Sequence, residues 1–170
     1  MMKRRLQLSC IILISLLFAF ATHAQDDVCQ TDTDGMVYHM ERAGYLRGSN
    51  QYELALFHYQ CAYNIDDQSL PVVKGLGYVN IYLQRFETAL AYFQYAVNLD
   101  EQSALNYLNL GWVQFLLTQQ REAEGVDPEA INGFYNQSII YYNRALDLDP
   151  NYEYVYYNRG QVYEAVDEYT

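Results

Sequence analysis

Few residues of this chain have the types and spacing that catalysis or redox chemistry requires. Beyond the first 24 residues, cysteines occur at Cys29 and Cys61. They can form a disulfide in an oxidising compartment. Closing the loop of about 30 residues between them would stabilise the fold by roughly 3–4 kcal/mol in the chain-entropy model. The alternative is two free thiols, with Cys61 a small residue of the core.

Other polar side chains with suggestive spacing have simpler structural interpretations. His39 and His58 fall in separate predicted helices and are interpreted as packing residues. A calcium-loop-like run lacks the required glycine and is interrupted by Pro150; it consists of Asp147, Asp149, Asn151 and Glu153. No HExxH, CxxC, phosphate-loop or GxSxG motif occurs. The sequence therefore predicts no catalytic residue, no cofactor and no metal site, and a chain that is not an enzyme.

Residues 1–24 have the pattern of an export signal. Lys3, Arg4 and Arg5 precede an apolar run over 8–21, and residues 22–24 form a cleavage site. The run is shorter than the ~20 residues that span a bilayer. We expect a signal peptide, a periplasmic or extracellular protein, and no stable membrane insertion after cleavage. A retained N-terminal anchor is the alternative.

The charge of the remaining chain excludes some classes of partner. The full chain carries a net charge of −11, and removing the three basic signal residues lowers it to −14. After this removal, Lys74 is the single lysine that remains. Nucleic-acid phosphates require clustered Lys and Arg, so we expect no nucleic-acid partner.

After a polar leader at 25–35, the chain repeats a triplet in which an aromatic residue lies between two small residues. It recurs after 34 residues and then, across a 15-residue insertion, after 49. The triplets are Ala55/Tyr59/Ala62, Ala89/Phe93/Ala96 and Ser138/Tyr142/Ala145. Each lies in a predicted second helix, and Leu76-Gly77 and Leu110-Gly111 mark the first helices. Small residues allow two helices to approach closely, so the pattern predicts stacked helix pairs.

These Leu-Gly pairs and triplets, with the ALDLDPNY run at 145–152, resemble the tetratricopeptide repeat family over residues 36–170. The resemblance implies an all-α fold, an α-solenoid of antiparallel helix pairs. The units would span 36–69, 70–103 and 104–152, followed by a terminal helix at 153–170. An insertion near 119–132 would lie in the third unit.

The insertion contains a helix-start signal, Asp127-Pro128-Glu129, after a break at Glu124-Gly125. We therefore expect two lengthened helices that form a projecting hairpin, because 15 added residues supply about two turns to each helix. A disordered loop is the alternative.

Members of the family typically bind peptides or protein segments in a concave groove lined by the first helices. The resemblance places an aromatic and aliphatic set there: Met40, Arg47, Lys74, Tyr78, Ile81, Tyr82, Leu105, Trp112, Phe115, Tyr154, Tyr157 and Gln161. The family's carboxylate-clamping residues are replaced by Met40, Gly44 and Gly75. We therefore predict an apolar or aromatic protein segment as partner, with Trp112 as an anchor. The alternative is that these residues only pack against neighbouring helices.

Two other functions remain open. The 19 tyrosines are compatible with a carbohydrate-binding surface in the cell envelope, because tyrosine offers a ring face and a hydroxyl. The chain is also compatible with an N-terminal fragment of a larger exported multidomain protein. The sequence does not predict an oligomeric state.

Overall fold

The computed structural model describes Cys29 and residues 35–167. The predicted signal peptide and most of the leader lie outside these residues. The described part contains seven helices and no strand: α1 Gly35–Gly48, α2 Tyr52–Ile65, α3 Leu70–Tyr82, α4 Phe86–Leu99, α5 Ala104–Ala123, α6 Pro128–Leu148 and α7 Glu153–Asp167. The all-α prediction is confirmed. Within the same residues, every helix is too short or too polar to cross a membrane.

The helices follow one another as antiparallel pairs, and each packs against the next in the chain. In addition, α1 contacts α3 and α5 contacts α7. The first helices of successive units thus share one layer, and the second helices α2, α4 and α6 share another.

Side-chain caps set the starts of the two long helices. The Ser103 hydroxyl accepts a hydrogen bond from the Asn106 amide (3.3 Å) before α5. An Asp127 carboxylate oxygen accepts one from the Glu129 amide (3.0 Å) before α6, which opens with Pro128. Gly125 connects the two with φ +80°, a conformation that glycine adopts without strain. The inserted residues are therefore mainly helical, in α5 and α6.

The core is built where small residues meet aromatic rings. Ala89, Phe93 and Ala96 on α4 are fully buried. A Cβ atom added to Gly77 of α3 would lie 2.7 Å from the Phe93 ring. The same relation holds in the next unit, where a Cβ on Gly111 would lie 2.7 Å from the Tyr142 ring. Each glycine therefore permits the approach of the second helix that covers it.

Cys29 is tied to the first helix pair. Of the two alternatives that the sequence left open for the cysteines, the structure has the Cys29–Cys61 disulfide, with Cα atoms 5.2 Å apart. Cys61 lies on α2 and is buried. The bond therefore fixes a residue that precedes α1 onto the second helix of the first unit.

Candidate functional site

A line of polar contacts crosses the layer of first helices. The Arg47 guanidinium of α1 lies 5.7 Å from the centroid of the Tyr78 ring of α3. The Tyr78 hydroxyl donates a hydrogen bond to the Asn109 side-chain oxygen of α5, at 2.9 Å. Three helices from three units thus place these side chains side by side on one face.

Tyr78 is held in position by the core below it. Its ring makes an edge contact with Phe93, with centroids 5.2 Å apart. Burial raises the pKa of the Tyr78 hydroxyl above its usual value, while the hydrogen bond to Asn109 acts in the opposite direction. Tyr78 is therefore a neutral hydroxyl at physiological pH, and it donates to Asn109 from a fixed ring.

Asn109 itself carries a donor with no partner. The residue is buried, at 4 % exposure, and its side-chain amide nitrogen has no hydrogen-bond partner among the described residues. A buried donor left unpaired is costly, typically by about 1–3 kcal/mol. The unpaired donor lies within the layer of first helices, next to the hydroxyl of Tyr78, and is shielded from solvent.

A depression of about 510 Å³ lies at the Arg47 end of this line. Its lining consists of Arg47, Gly48, Asn50, Tyr52, Tyr78 and Tyr82. The Tyr52 and Tyr82 rings are stacked, 4.7 Å apart and 7° from parallel. The Tyr52 hydroxyl donates to the Asn50 side-chain oxygen at 2.7 Å. The depression therefore has an aromatic wall, a cation and several polar atoms.

A second depression lies at the other end of the first-helix layer, between α5, α6 and α7. It has a volume of about 340 Å³ and a more polar lining of Phe115, Gln119, Glu122, Tyr135, Gln161, Glu164 and Ala165. The Tyr135 hydroxyl donates to Glu122 at 2.6 Å, and the Phe115 and Tyr135 rings are 5.8 Å apart. The two ends of the layer thus differ: aromatic and cationic at one, polar and acidic at the other.

The predicted groove residues divide into three classes of exposure. The exposed ones are Tyr82, Leu105, Tyr154, Tyr157 and Gln161, and the partly buried ones are Met40, Arg47, Lys74, Tyr78, Trp112 and Phe115. Ile81 is only 7 % exposed and belongs to the core between α3, α4 and α5. Ile81 is therefore a core residue instead of a groove residue, because its position on α3 faces the following helix pair.

The structure brings together Arg47, Tyr78 and Tyr82 in the first depression, and Phe115 and Gln161 in the second. Met40 and Trp112 instead pack against core clusters with part of their surface. The lining of these two depressions does not include Lys74, Leu105, Tyr154 or Tyr157. The predicted set is therefore split between two ends of one face.

Sequence reasoning missed Tyr52 and Asn109. Tyr52 opens the second helix of the first unit, and its ring packs against the core there and also stacks on Tyr82. Asn109 precedes the Leu110-Gly111 pair on α5, a helix that also buries Asn106 and Gln114. An amide directly before a Leu-Gly pair is the signal that could have identified it.

Comparison with known proteins supports the resemblance noted in the sequence. Residues 127–167, which span α6 and α7, match the family described as TPR repeat. A comparison with curated proteins gives no match.

Solved structures of TPR domains have the same fold. The first TPR of Spaghetti (RPAP3), bound to the HSP90 peptide SRMEEVD, has 17 % identity and a TM-score of 0.65, over 80 % of this chain and 96 % of that one. The second TPR domain of human RPAP3, in complex with the HSP70 peptide SGPTIEEVD, has 15 % identity and a TM-score of 0.62, over 75 % and 94 %.

A thermophilic TPR protein of Thermus thermophilus has 20 % identity and a TM-score of 0.69, over 78 % of this chain and 66 % of that one. At these identities the likeness concerns the fold. The chain is a TPR-like helical solenoid, and the predicted fold class is confirmed.

Proposed function

We propose that this TPR-like solenoid is a non-enzymatic scaffold that binds a protein or peptide segment on its first-helix face. The observation that carries the proposal is the alignment of Arg47, Tyr78 and Asn109 across α1, α3 and α5, beside the exposed Tyr82 ring. Tyr, Trp and Arg are the residues that most often dominate binding energies in protein interfaces. The first-helix face presents Arg and Tyr side chains on helices that the core holds in place.

The depression favours a partner side chain that is apolar or aromatic. The Tyr82 ring, half exposed, offers its edge and one face, and Arg47 offers a guanidinium next to an aromatic ring. An aromatic side chain of the partner can stack there and contact the cation.

This chemistry differs from that of the peptides in two structural neighbours. The RPAP3 domains are bound to SRMEEVD and SGPTIEEVD, both with acidic ends. Here the positions of the carboxylate clamp carry Met40, Gly44 and Gly75, and the chain itself is strongly acidic. We therefore assign an extended apolar or aromatic segment in place of an acidic C-terminus, with Trp112, Tyr154 and Tyr157 as further contacts.

We further propose that the protein acts outside the cytoplasm, in the cell envelope or beyond the cell. Two features support this location: the signal-like residues 1–24 and the Cys29–Cys61 disulfide. Structural disulfides persist mainly in oxidising compartments.

A display selection tests the proposed chemistry. The chain from residue 25 is used to select from a random peptide library, and a glycan array is probed in parallel. We expect enriched peptides with internal aromatic or aliphatic residues and no requirement for a free C-terminus. Enrichment of acidic C-terminal sequences, or binding confined to glycans, would contradict the proposal.

A further inference from the structure

Two cysteines and two histidines converge beside the first helix pair. The sulfur atoms of Cys29 and Cys61 and a ring nitrogen of His39 all lie within 4.8 Å of one another. The Nδ1 atom of His58 lies 2.9 Å from Nδ1 of His39. His39 and Cys61 are each 1 % exposed, whereas Cys29 and His58 are partly exposed, so the cluster is half shielded from water.

Three segments of the chain supply the cluster. His39 lies on α1, whereas His58 and Cys61 lie on α2. The spacing of three residues between His58 and Cys61 puts them on one face of α2. Cys29 reaches the same place from the segment before α1. The antiparallel packing of α1 on α2 therefore creates a mixed sulfur and nitrogen site that neither helix has alone.

Two thiolates and an imidazole are a ligand set that zinc prefers. Zn–S and Zn–N bonds of about 2.3 Å and 2.0–2.1 Å place neighbouring ligand atoms of a tetrahedron roughly 3.3–3.8 Å apart. The three donor atoms already lie within 4.8 Å. Once the disulfide is broken, separation of the two sulfur atoms to this tetrahedral spacing would bring all three donors to one ion.

We propose that, when the disulfide is reduced, Cys29, Cys61 and His39 bind one Zn²⁺ ion. His58 is a positioning residue in this site, because its ring nitrogen lies within hydrogen-bond distance of His39 and fixes the orientation of that ring. The inference revises the expectation, from sequence alone, of no metal site. It is independent of the binding face proposed above.

The disulfide and the zinc ion are alternative states because they use the same two sulfur atoms. A dithiol reductant transfers two electrons and two protons to the Cys29–Cys61 bond, which breaks to two thiols while the reductant becomes a disulfide. Zn²⁺ then replaces the two thiol protons, which pass to water. An exogenous disulfide reverses the process by thiol–disulfide exchange, and the ion is released. In both states Cys29 is held against α2.

Zinc titration of the full chain tests the proposal. Cys10→Ser is present throughout, which leaves Cys29 and Cys61 as the two thiols. With a phosphine reductant, we expect one Zn²⁺ per chain, and Co²⁺ in its place should show thiolate-to-metal charge-transfer bands. The chain with its disulfide intact should show neither. Equal zinc binding by the reduced and the disulfide forms would overturn the proposal, as would no binding by the reduced, folded chain.

Variants identify the ligands. Cys29→Ser, His39→Gln and Cys61→Ser should each abolish stoichiometric binding, and Cys29→Ser keeps the test valid if the two buried substitutions unfold the protein. His58→Gln should weaken zinc binding by about tenfold and retain the cobalt charge-transfer bands. Tyr38→Phe is the matched control, since the Tyr38 ring contacts both His39 and His58. This substitution keeps the ring and should leave the affinity for zinc unchanged. Wild-type affinity in Cys29→Ser would refute the assignment.

Discussion

Helices α3 and α7 each have a glycine at the same position of the repeat, but in the part of the chain that the structure describes an aromatic ring covers only the glycine of α3. Gly77 of α3 lies under the Phe93 ring of α4, where a Cβ atom would be 2.7 Å from that ring. Gly160 follows Gly77 by 83 residues, one spacing of 34 plus one of 49, and so occupies the equivalent place in α7. A Cβ atom on Gly160 would meet no atom of the described residues within 4 Å. The repeated glycine therefore marks a face for packing, and a close contact forms at Gly77 because the Phe93 ring covers it.

The exposure of the larger residues shows the same difference. Val72, Val73, Leu76 and Val79 of α3 are fully buried. In α7, Val155 and Val162 are buried against α5 and α6, whereas Tyr154, Tyr156, Tyr157 and Tyr163 are exposed to between 47 % and 71 %. Tyrosine suits such a half-covered helix because it packs its ring and leaves its hydroxyl in water.

The largest expected effect comes from removing the covering ring. Phe93→Ala should lower the free energy of unfolding by about 3–5 kcal/mol, because it leaves a cavity between α3 and α4. Tyr163→Ala on α7 should change it by less than about 0.5 kcal/mol, since that ring is largely at the surface. Urea unfolding followed by circular dichroism measures both. Similar losses in the two variants would refute the distinction between the two helices.

A smaller effect is expected at the two glycines. Gly77→Ala should destabilise the protein by roughly 1–3 kcal/mol, because the added methyl group overlaps the Phe93 ring. Gly160→Ala should be neutral or stabilising by up to about 1 kcal/mol, because alanine has the higher helix propensity and its methyl group would meet no neighbour within the described part of the chain. Thermal unfolding of the two variants shows whether each substitution stabilises or destabilises the protein. A stabilised Gly77→Ala variant would show that α4 does not pack as closely as described.

Much of the fold could be predicted because it depends on spacing along single helices. Ala89, Phe93 and Ala96 recur with helical periodicity, and all three are buried. The lengthened α5 and α6 follow from the cap at Asp127 and the number of inserted residues. Such signals are local, and each repeat supplies an independent copy of them.

The side-chain contacts on the first-helix face could not be predicted, because they depend on how neighbouring helices pack against one another. Tyr78 and Asn109 are 31 residues apart in sequence and meet only because α3 and α5 lie side by side. Ile81 is one turn from Tyr78 and yet buried, since the next pair of helices covers it. The meeting of His39 with Cys29 and Cys61 likewise depends on the α1–α2 contact.

The most direct test of the proposed binding face compares two tyrosines of nearly equal exposure, Tyr82 on α3 at 50 % and Tyr163 on α7 at 47 %. The measurement is the dissociation constant of a selected peptide for wild type, Tyr82→Ala and Tyr163→Ala, by isothermal titration calorimetry. Tyr82→Ala should weaken binding by about tenfold or more, equivalent to roughly 1.4 kcal/mol, with unfolding unchanged. Tyr163→Ala should leave the affinity within about twofold. An unchanged affinity in a folded Tyr82→Ala variant, or an equal loss in both variants, would contradict the proposed site.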